Sequence, residues 1–251
     1  MSDLLATIES WVIATIAAAD GTTGYGRPLL GTASAADPRF ARLTAAVCPE
    51  HLQPSDLVPE AQGVLAFFLP FTAELIQRNR RDPYVAREWA VAYIETNALI
   101  NTICQRLVEQ LAGIGIKAAF QPPTHNFDRQ RLVSVWSHRH VAEICGLGSF
   151  GLNHMLITPS GCAGRLGSLV LDQLLPPTPR NDRPVCRHFT KQTCLACVRR
   201  CPSGALTVEG LDRHRCYAYL LAVAAHFSDL GTCDVCGKCL TGPCALTAPR
   251  S

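Results

Sequence analysis

The sequence predicts a mixed α/β (α+β) protein: a layered-sheet core over residues 1–180 with some antiparallel pairing, then a small cysteine-rich module over residues 181–251. Three observations carry this. Segments of helical period alternate with short apolar runs ahead of residue 175, without a clean βαβ rhythm. Nine of the thirteen cysteines lie between Cys186 and Cys244. Between the two regions run residues 175–184 (LPPTPRNDRP), whose prolines favour extended chain and suit a linker.

Local signals set the element order. Leu5, Ile8, Val12 and Ile16, with Leu4 and Trp11 beside them, form the stripe of a helix over residues 4–18. Residues 63–69 (GVLAFFL) form an unbroken apolar run ended by Pro70, the pattern of a buried strand. A long helix follows, with Asp82 as its cap and Pro83 in its first turn, so that Arg78, Arg80 and Arg81 read as a solvated helix start. Its apolar stripe runs through Trp89, Tyr93, Ile100, Cys104, Leu107 and Leu111 until Gly113 and Gly115 stop it, and Cys104 reads as a packed core thiol. Short strands are expected at 116–120, 155–158 and 166–171, with a helix at about 135–145 between the first two.

Composition excludes several classes. Apolar residues make up 48% and charged residues 17% of the chain, well under the roughly 25% charge usual for soluble domains, so disorder is excluded and a large core is available. The net charge of +3 comes without a dense basic block, so no nucleic-acid footprint is signalled. Asp3 and Glu9 interrupt the N-terminal apolar stretch, which lacks the basic start of a secretory or twin-arginine leader. No run reaches the roughly 18 apolar residues of a membrane span. A cytoplasmic location is therefore expected, where cysteines serve metal ligation rather than disulfides.

Gly146-Leu-Gly148-Ser-Phe-Gly151 matches GxGxxG, but a dinucleotide site needs a strand before the glycines and a helix after them. Here the order is reversed, so the motif marks either a helix-to-strand turn or a close approach to a flat cofactor.

The specific signal is Cys194-Leu-Ala-Cys197-Val-Arg-Arg-Cys201-Pro202, the last three positions of the C-x2-C-x2-C-x3-C-P run that binds 4Fe-4S clusters in bacterial ferredoxins. Lys191 occupies the first position and cannot ligate iron; Cys186, five residues upstream, is the substitute. Cys216, Cys233, Cys236, Cys239 and Cys244 form a second set. Two 4Fe-4S clusters need eight thiolates, and nine are available. Crossed ligation gives Cys201, Cys216, Cys233 and Cys236 to one cluster. The other takes Cys186, Cys194, Cys197 and either Cys239, nearest the expected spacing, or Cys244. Zinc, satisfied by four ligands, is the rival metal. The tail has little other core; Tyr217, Tyr219, Leu220, Leu221 and Val223 read as one helix against the clusters.

Placed behind an α/β unit, these cysteines resemble those of the cobalamin-dependent iron-sulfur reductases, the family of epoxyqueuosine reductase and the reductive dehalogenases. The stretch AEICGLGSFGLNHMLIT, residues 142–158, is similar to that family's AGLGWIGKN-type segment; GRLGSLVLD, residues 164–172, to its LGEILTD-type strand; and Cys216-Tyr-Ala-Tyr219 stands in the expected place. The resemblance covers about residues 60–245. It implies a nitroreductase-like corrinoid-binding core and a ferredoxin-like two-cluster module that passes electrons from an external low-potential donor to cobalamin. The reductive chemistry would act on a small molecule or on a corrinoid. Gly148, Asn153, Leu156, Thr158 and Tyr219 are the implied corrinoid contacts.

Epoxyqueuosine reductases carry an acidic proton donor fourteen residues before the first motif glycine, where this chain has Leu132. His138, His140 and Asp128 are the substitute donors by position, with His125, Arg131 and Arg139 nearby. On a helix, alternate residues diverge, so one of the two histidines is expected to face a pocket. The cysteines are followed by no extension of the kind with which epoxyqueuosine reductases grip transfer RNA, so nucleic acid is not expected as a partner. The competing classes are a non-catalytic ferredoxin-type electron carrier without corrinoid and a zinc-stabilised binding protein.

Overall fold

Strands β1 (Leu29–Ser34), β2 (Gly63–Pro70), β8 (Gly164–Leu171) and β3 (Ala118–Phe120) form one sheet in that order, every neighbouring pair antiparallel. The computed structural model describes residues 2–123, 126–180 and 183–248; His125 and the linker residues Asn181 and Asp182 lie outside the described residues. Every residue of β2 is buried, because both faces of the sheet are covered. Side chains alternate across a strand. Leu65, Phe67 and Leu69 meet Ile8, Val12, Ile100 and Leu107 of two helices, Ser2–Ala17 and Arg87–Ala112. Val64, Ala66 and Phe68 meet Trp136, Val141 and Ile144 on the other side. Gly167 of β8 sits opposite Phe67, where a Cβ would stand 2.3 Å from the Phe67 ring.

The helix expected from Asp82 is two helices. Ala73–Arg81 starts from Thr72, whose hydroxyl accepts the Leu75 N–H at 3.4 Å. Arg78, Arg80 and Arg81 fall in its last turn, where cations complement the exposed carbonyls, and so end a helix rather than begin one. Pro83 disfavours helical backbone at Asp82, and the Asp82 carboxylate instead accepts the Tyr84 N–H at 2.8 Å. The long helix begins afresh at Arg87, with no side-chain cap.

Two small hairpins frame the edge of the core: β4 (Phe127–Asp128) with β5 (Val133–Ser134), and β6 (Ser149–Phe150) with β7 (Leu156–Ile157). The helix His138–Ile144 lies between them. The glycine motif is the turn out of that helix. Gly146 has φ +79°, and a Cβ on Gly148 would stand 2.2 Å from the Ile157 carbonyl. Helix precedes and strand follows, as the sequence indicated.

The cysteine-rich tail is sewn onto the core. Cys162 and Ala163 donate backbone N–H groups to Cys244 and Ala245. The buried Lys238 ammonium donates to the carbonyls of Asn79 and Asp82, and the Asn79 amide donates to the Cys236 carbonyl at 3.0 Å. Trp89 and Tyr93 of the long helix pack in one cluster with Val223, Phe227 and Leu240 of the tail. Among the described residues, no helix is long and apolar enough to cross a membrane.

Candidate functional site

The nine tail cysteines separate into four, four and one. Cys186, Cys194, Cys197 and Cys244 line a small pocket floored by Leu152, Asn153 and Ile157. Cys201, Cys216, Cys236 and Cys239 line a larger cavity of about 410 Å³ between tail and core. Cys233 lines neither; its buried thiol points at the Phe227 carbonyl, 3.8 Å away. The expected crossed set is therefore rearranged, with Cys239 standing where Cys233 was expected and Cys244 joining Cys186, Cys194 and Cys197. The cause is local: Gly237, at φ +67°, reverses the chain into the 3-10 turn Lys238–Leu240, which returns Cys239 to the side of Cys236.

Burial, then neighbouring thiols, pushes Cys236 up to about 11, and burial does the same for Cys197. Four grouped thiols of this kind ionise together only against a bound cation. Among the described residues no group of three or more His, Cys, Asp or Glu side chains could hold a single metal ion. Four thiols lining one pocket match the four thiolates that a 4Fe-4S cluster takes. Outside the tail, Cys104 and Cys145 are core thiols that burial pushes up, and Cys48 contacts the Ser134 carbonyl. Cys162 differs: its sulfur is 3.6 Å from that of Cys244 and accepts from the Asn153 amide, which also donates to the Cys239 carbonyl.

The larger cavity has an aromatic floor, Phe71, Trp89 and Tyr93, and a tail-side wall with Tyr217, Tyr219 and Leu220. Tyr93 donates to Asp234 at 2.6 Å, and the Arg165 guanidinium lies 4.5 Å above the Tyr93 ring. Burial pushes the Tyr219 phenol up to about 12, so it keeps its proton at neutral pH. A second cavity, about 360 Å³, adjoins through a wall shared by Phe127, Leu132, Arg139, Met155, Arg165 and Arg213.

The implied cofactor contacts divide. Asn153 and Tyr219 line the larger cavity and Leu156 the smaller. Gly148 and Thr158 line neither; Gly148 leads into β6 hard against the Ile157 carbonyl, and the Thr158 hydroxyl donates to the Gly161 carbonyl at 2.7 Å. Among the expected donors, Asp128 stands outside both cavities. The Arg131 backbone N–H and then its guanidinium hold the Asp128 carboxyl down at about 2, so it stays ionised and is no acid at neutral pH. His138 and His140 both line the smaller cavity. The expectation that only one would face a pocket fails because the cavity wraps the first turn of a seven-residue helix. His138 Nδ1 pairs with Ser168 Oγ at 2.8 Å and His140 Nδ1 with Ser137 Oγ at 2.7 Å.

Burial pushes both imidazoles down to about 4. In the unfolded chain a histidine titrates near 6.5, so below that pH the unfolded state takes up a proton that folded His138 refuses. Stability from a neutral His138 is complete above pH 6.5 and drains away toward pH 4, by about 3 kcal/mol in all. His138→Asn, which can keep the Ser168 hydrogen bond, should flatten that acid slope when urea midpoints are compared at pH 7 and pH 5. Parallel slopes in the two proteins would refute the assignment.

Phe71, Trp89, Tyr93, Arg165 and Asp234 were not singled out as site residues from the sequence. Trp89 and Tyr93 were legible only as members of an apolar stripe.

No protein-family model matches the chain. Its fold is shared with epoxyqueuosine reductases and reductive dehalogenases. It superposes on an epoxyqueuosine reductase solved with an epoxyqueuosine-modified tRNA stem loop at a TM-score of 0.58, with 16% identity over 100% of this chain and 67% of that one. A catabolic reductive dehalogenase gives 0.59, at 14% identity over 88% and 30% of the two chains. A reductive dehalogenase described as performing B12-dependent dehalogenation gives 0.52, at 14% identity over 75% and 26%. In sequence, the chain is similar to epoxyqueuosine reductase from Listeria monocytogenes, 29% identical over 69% of this chain and 44% of that protein. The Staphylococcus aureus epoxyqueuosine reductase is 26% identical over 73% and 49%. These relatives are those of the family the motifs resemble. The chain spans less than half the length of either curated relative.

Proposed function

We propose that the chain is an iron-sulfur oxidoreductase whose residues 181–251 form a ferredoxin-like module with two 4Fe-4S clusters and whose residues 1–180 form a corrinoid-binding core. It takes electrons from an external low-potential donor and reduces a small molecule or a corrinoid. One observation carries this reading: eight thiols fall into two groups of four, and one group forms a wall of an aromatic-floored cavity beside the core.

Cys186, Cys194, Cys197 and Cys244 would hold one cluster, and Cys201, Cys216, Cys236 and Cys239 the other. Asn153, Tyr219, Trp89 and Tyr93 would hold the corrinoid in the larger cavity. When bound, the clusters supply single electrons and the corrinoid supplies a cobalt centre for two-electron reduction. The chain's own groups do the rest. Phe71, Trp89 and Tyr217 exclude water. Tyr219 holds a proton at its hydroxyl, and Tyr93 holds one against Asp234. Leu132, on the wall common to both cavities, offers no proton. His140, neutral at pH 7, offers its Nε2 to whatever occupies the smaller cavity, whereas His138 spends Nδ1 on Ser168 and buries Nε2.

Anaerobically reconstituted protein should shift the spectrum of cob(II)alamin and co-elute with it on gel filtration. Loss of both effects leaves the electron-carrier reading, and colourless protein free of acid-labile sulfide leaves the zinc reading. Retention of a tRNA stem loop in the same experiment would widen the substrate class to RNA.

A further inference from the structure

We propose that the wall shared by the two cavities is an anion site, in which Arg139, Arg165 and Arg213 hold a carboxylate or phosphate of a small-molecule substrate. The word substrate rests on the proposed function; the anion site does not.

All three arginines line both cavities, and Asp234 is the one carboxylate among the lining residues, already engaged by the Tyr93 hydroxyl. Among the described residues none of the three forms an ion pair with a carboxylate. Arg165 Nε is buried and has no hydrogen-bond partner. Arg139 is aimed by one bond, from Nη1 to the His154 carbonyl at 2.7 Å, with a 3.6 Å contact to the Met155 sulfur. Arg213 opens the tail helix Arg213–His226 and brings its charge from the opposite side.

The field of these cations is only partly compensated: Asp234 acts on Arg165, and it is the one carboxylate that the three guanidiniums share. Burial and then Arg213 pull Arg139 below its usual range, and burial followed by Arg139 and Arg213 does the same to His154. Three guanidiniums that share one carboxylate are costly to bury, and their planar forks fit the paired oxygens of a carboxylate or phosphate. An anion clamped there would sit between the larger cavity and the two histidines of the smaller one. The phosphate of a cobalamin nucleotide loop has the same chemistry, so the test must separate the two sources.

The test loads the reconstituted full chain with cobalamin or with cobinamide, which lacks the nucleotide loop, and titrates benzoate, benzamide and inorganic phosphate by calorimetry. Benzoate and phosphate should bind both loaded forms and benzamide neither. Arg165→Gln and Arg213→Gln should each weaken benzoate by about tenfold or more, the worth of a charge-assisted hydrogen bond, with iron content unchanged. Benzoate binding to the cobinamide form alone assigns the arginines to the cofactor's phosphate and overturns the substrate role. Equal binding of benzamide, or undiminished benzoate affinity in both variants, overturns the anion site. Benzoate binding through these arginines in a chain that takes no corrinoid leaves the anion site standing and removes the proposed function instead.

Discussion

Cys236→Ala and Cys197→Ala should each retain about half of the parent chain's iron and acid-labile sulfide, because each removes one thiol from a different group of four. Each should also unfold at lower urea, since metal binding and folding are coupled in a tail with little apolar core of its own. Cys233→Ala gives the sharper result. Spacing alone makes Cys233 a ligand, whereas its thiol faces the Phe227 carbonyl and lines neither pocket. Cys233→Ala should therefore keep its full iron load, while Cys239→Ala should lose half. The reverse outcome would restore the crossed set and discard the partition. Cys162→Ala should also keep the full load, because Cys162 contacts the Cys244 sulfur from outside the group of four.

Gly237→Ala should be among the most damaging single-methyl changes in the protein. Its Cβ would stand 2.3 Å from three atoms of the Trp89 indole, at a φ of +67° that side chains rarely adopt. Trp89 is 2% exposed and has no room to retreat. Backbone strain and overpacking together should cost about 3 kcal/mol, read as a lower urea midpoint, with loss of the iron held beside Cys236 and Cys239. Gly115→Ala is the control: φ is +82° but the space is open, so only the backbone cost of about 1 kcal/mol remains. Equal losses in the two variants would show that the indole contact contributes nothing.

Much of the core could be read from local pattern. Residues 4–18 and 63–69 lie almost wholly within Ser2–Ala17 and Gly63–Pro70 because their apolar periods are strong and their ends are marked. Strand β1 escaped notice because Leu-Leu-Gly-Thr-Ala-Ser carries few β-branched or aromatic residues; its pairing with β2 makes it a strand. Asp82-Pro83 misled because local cap chemistry cannot reveal that Asp82 turns its carboxylate toward Tyr84.

The site was less legible than the fold. The cysteines announced themselves as a set, but their division depends on a left-handed glycine and one 3-10 turn, which spacing does not encode. Trp89 and Tyr93 sit on a stripe that faces the sheet along most of its length and the tail at one end. No periodicity distinguishes those destinations. Arg165 occupies a strand of small and apolar residues, and only the folded chain places its guanidinium over the Tyr93 ring.

The two bonds from Lys238 to the carbonyls at the end of the helix Ala73–Arg81 tie the tail to the core. With the Asn79 amide holding Cys236 from the same helix end, the cysteine-rich tail is riveted rather than hinged. Under the proposed function, any gap an electron crosses would then be fixed by covalent chain and buried hydrogen bonds, and tunnelling would proceed at one distance instead of waiting on a swinging arm.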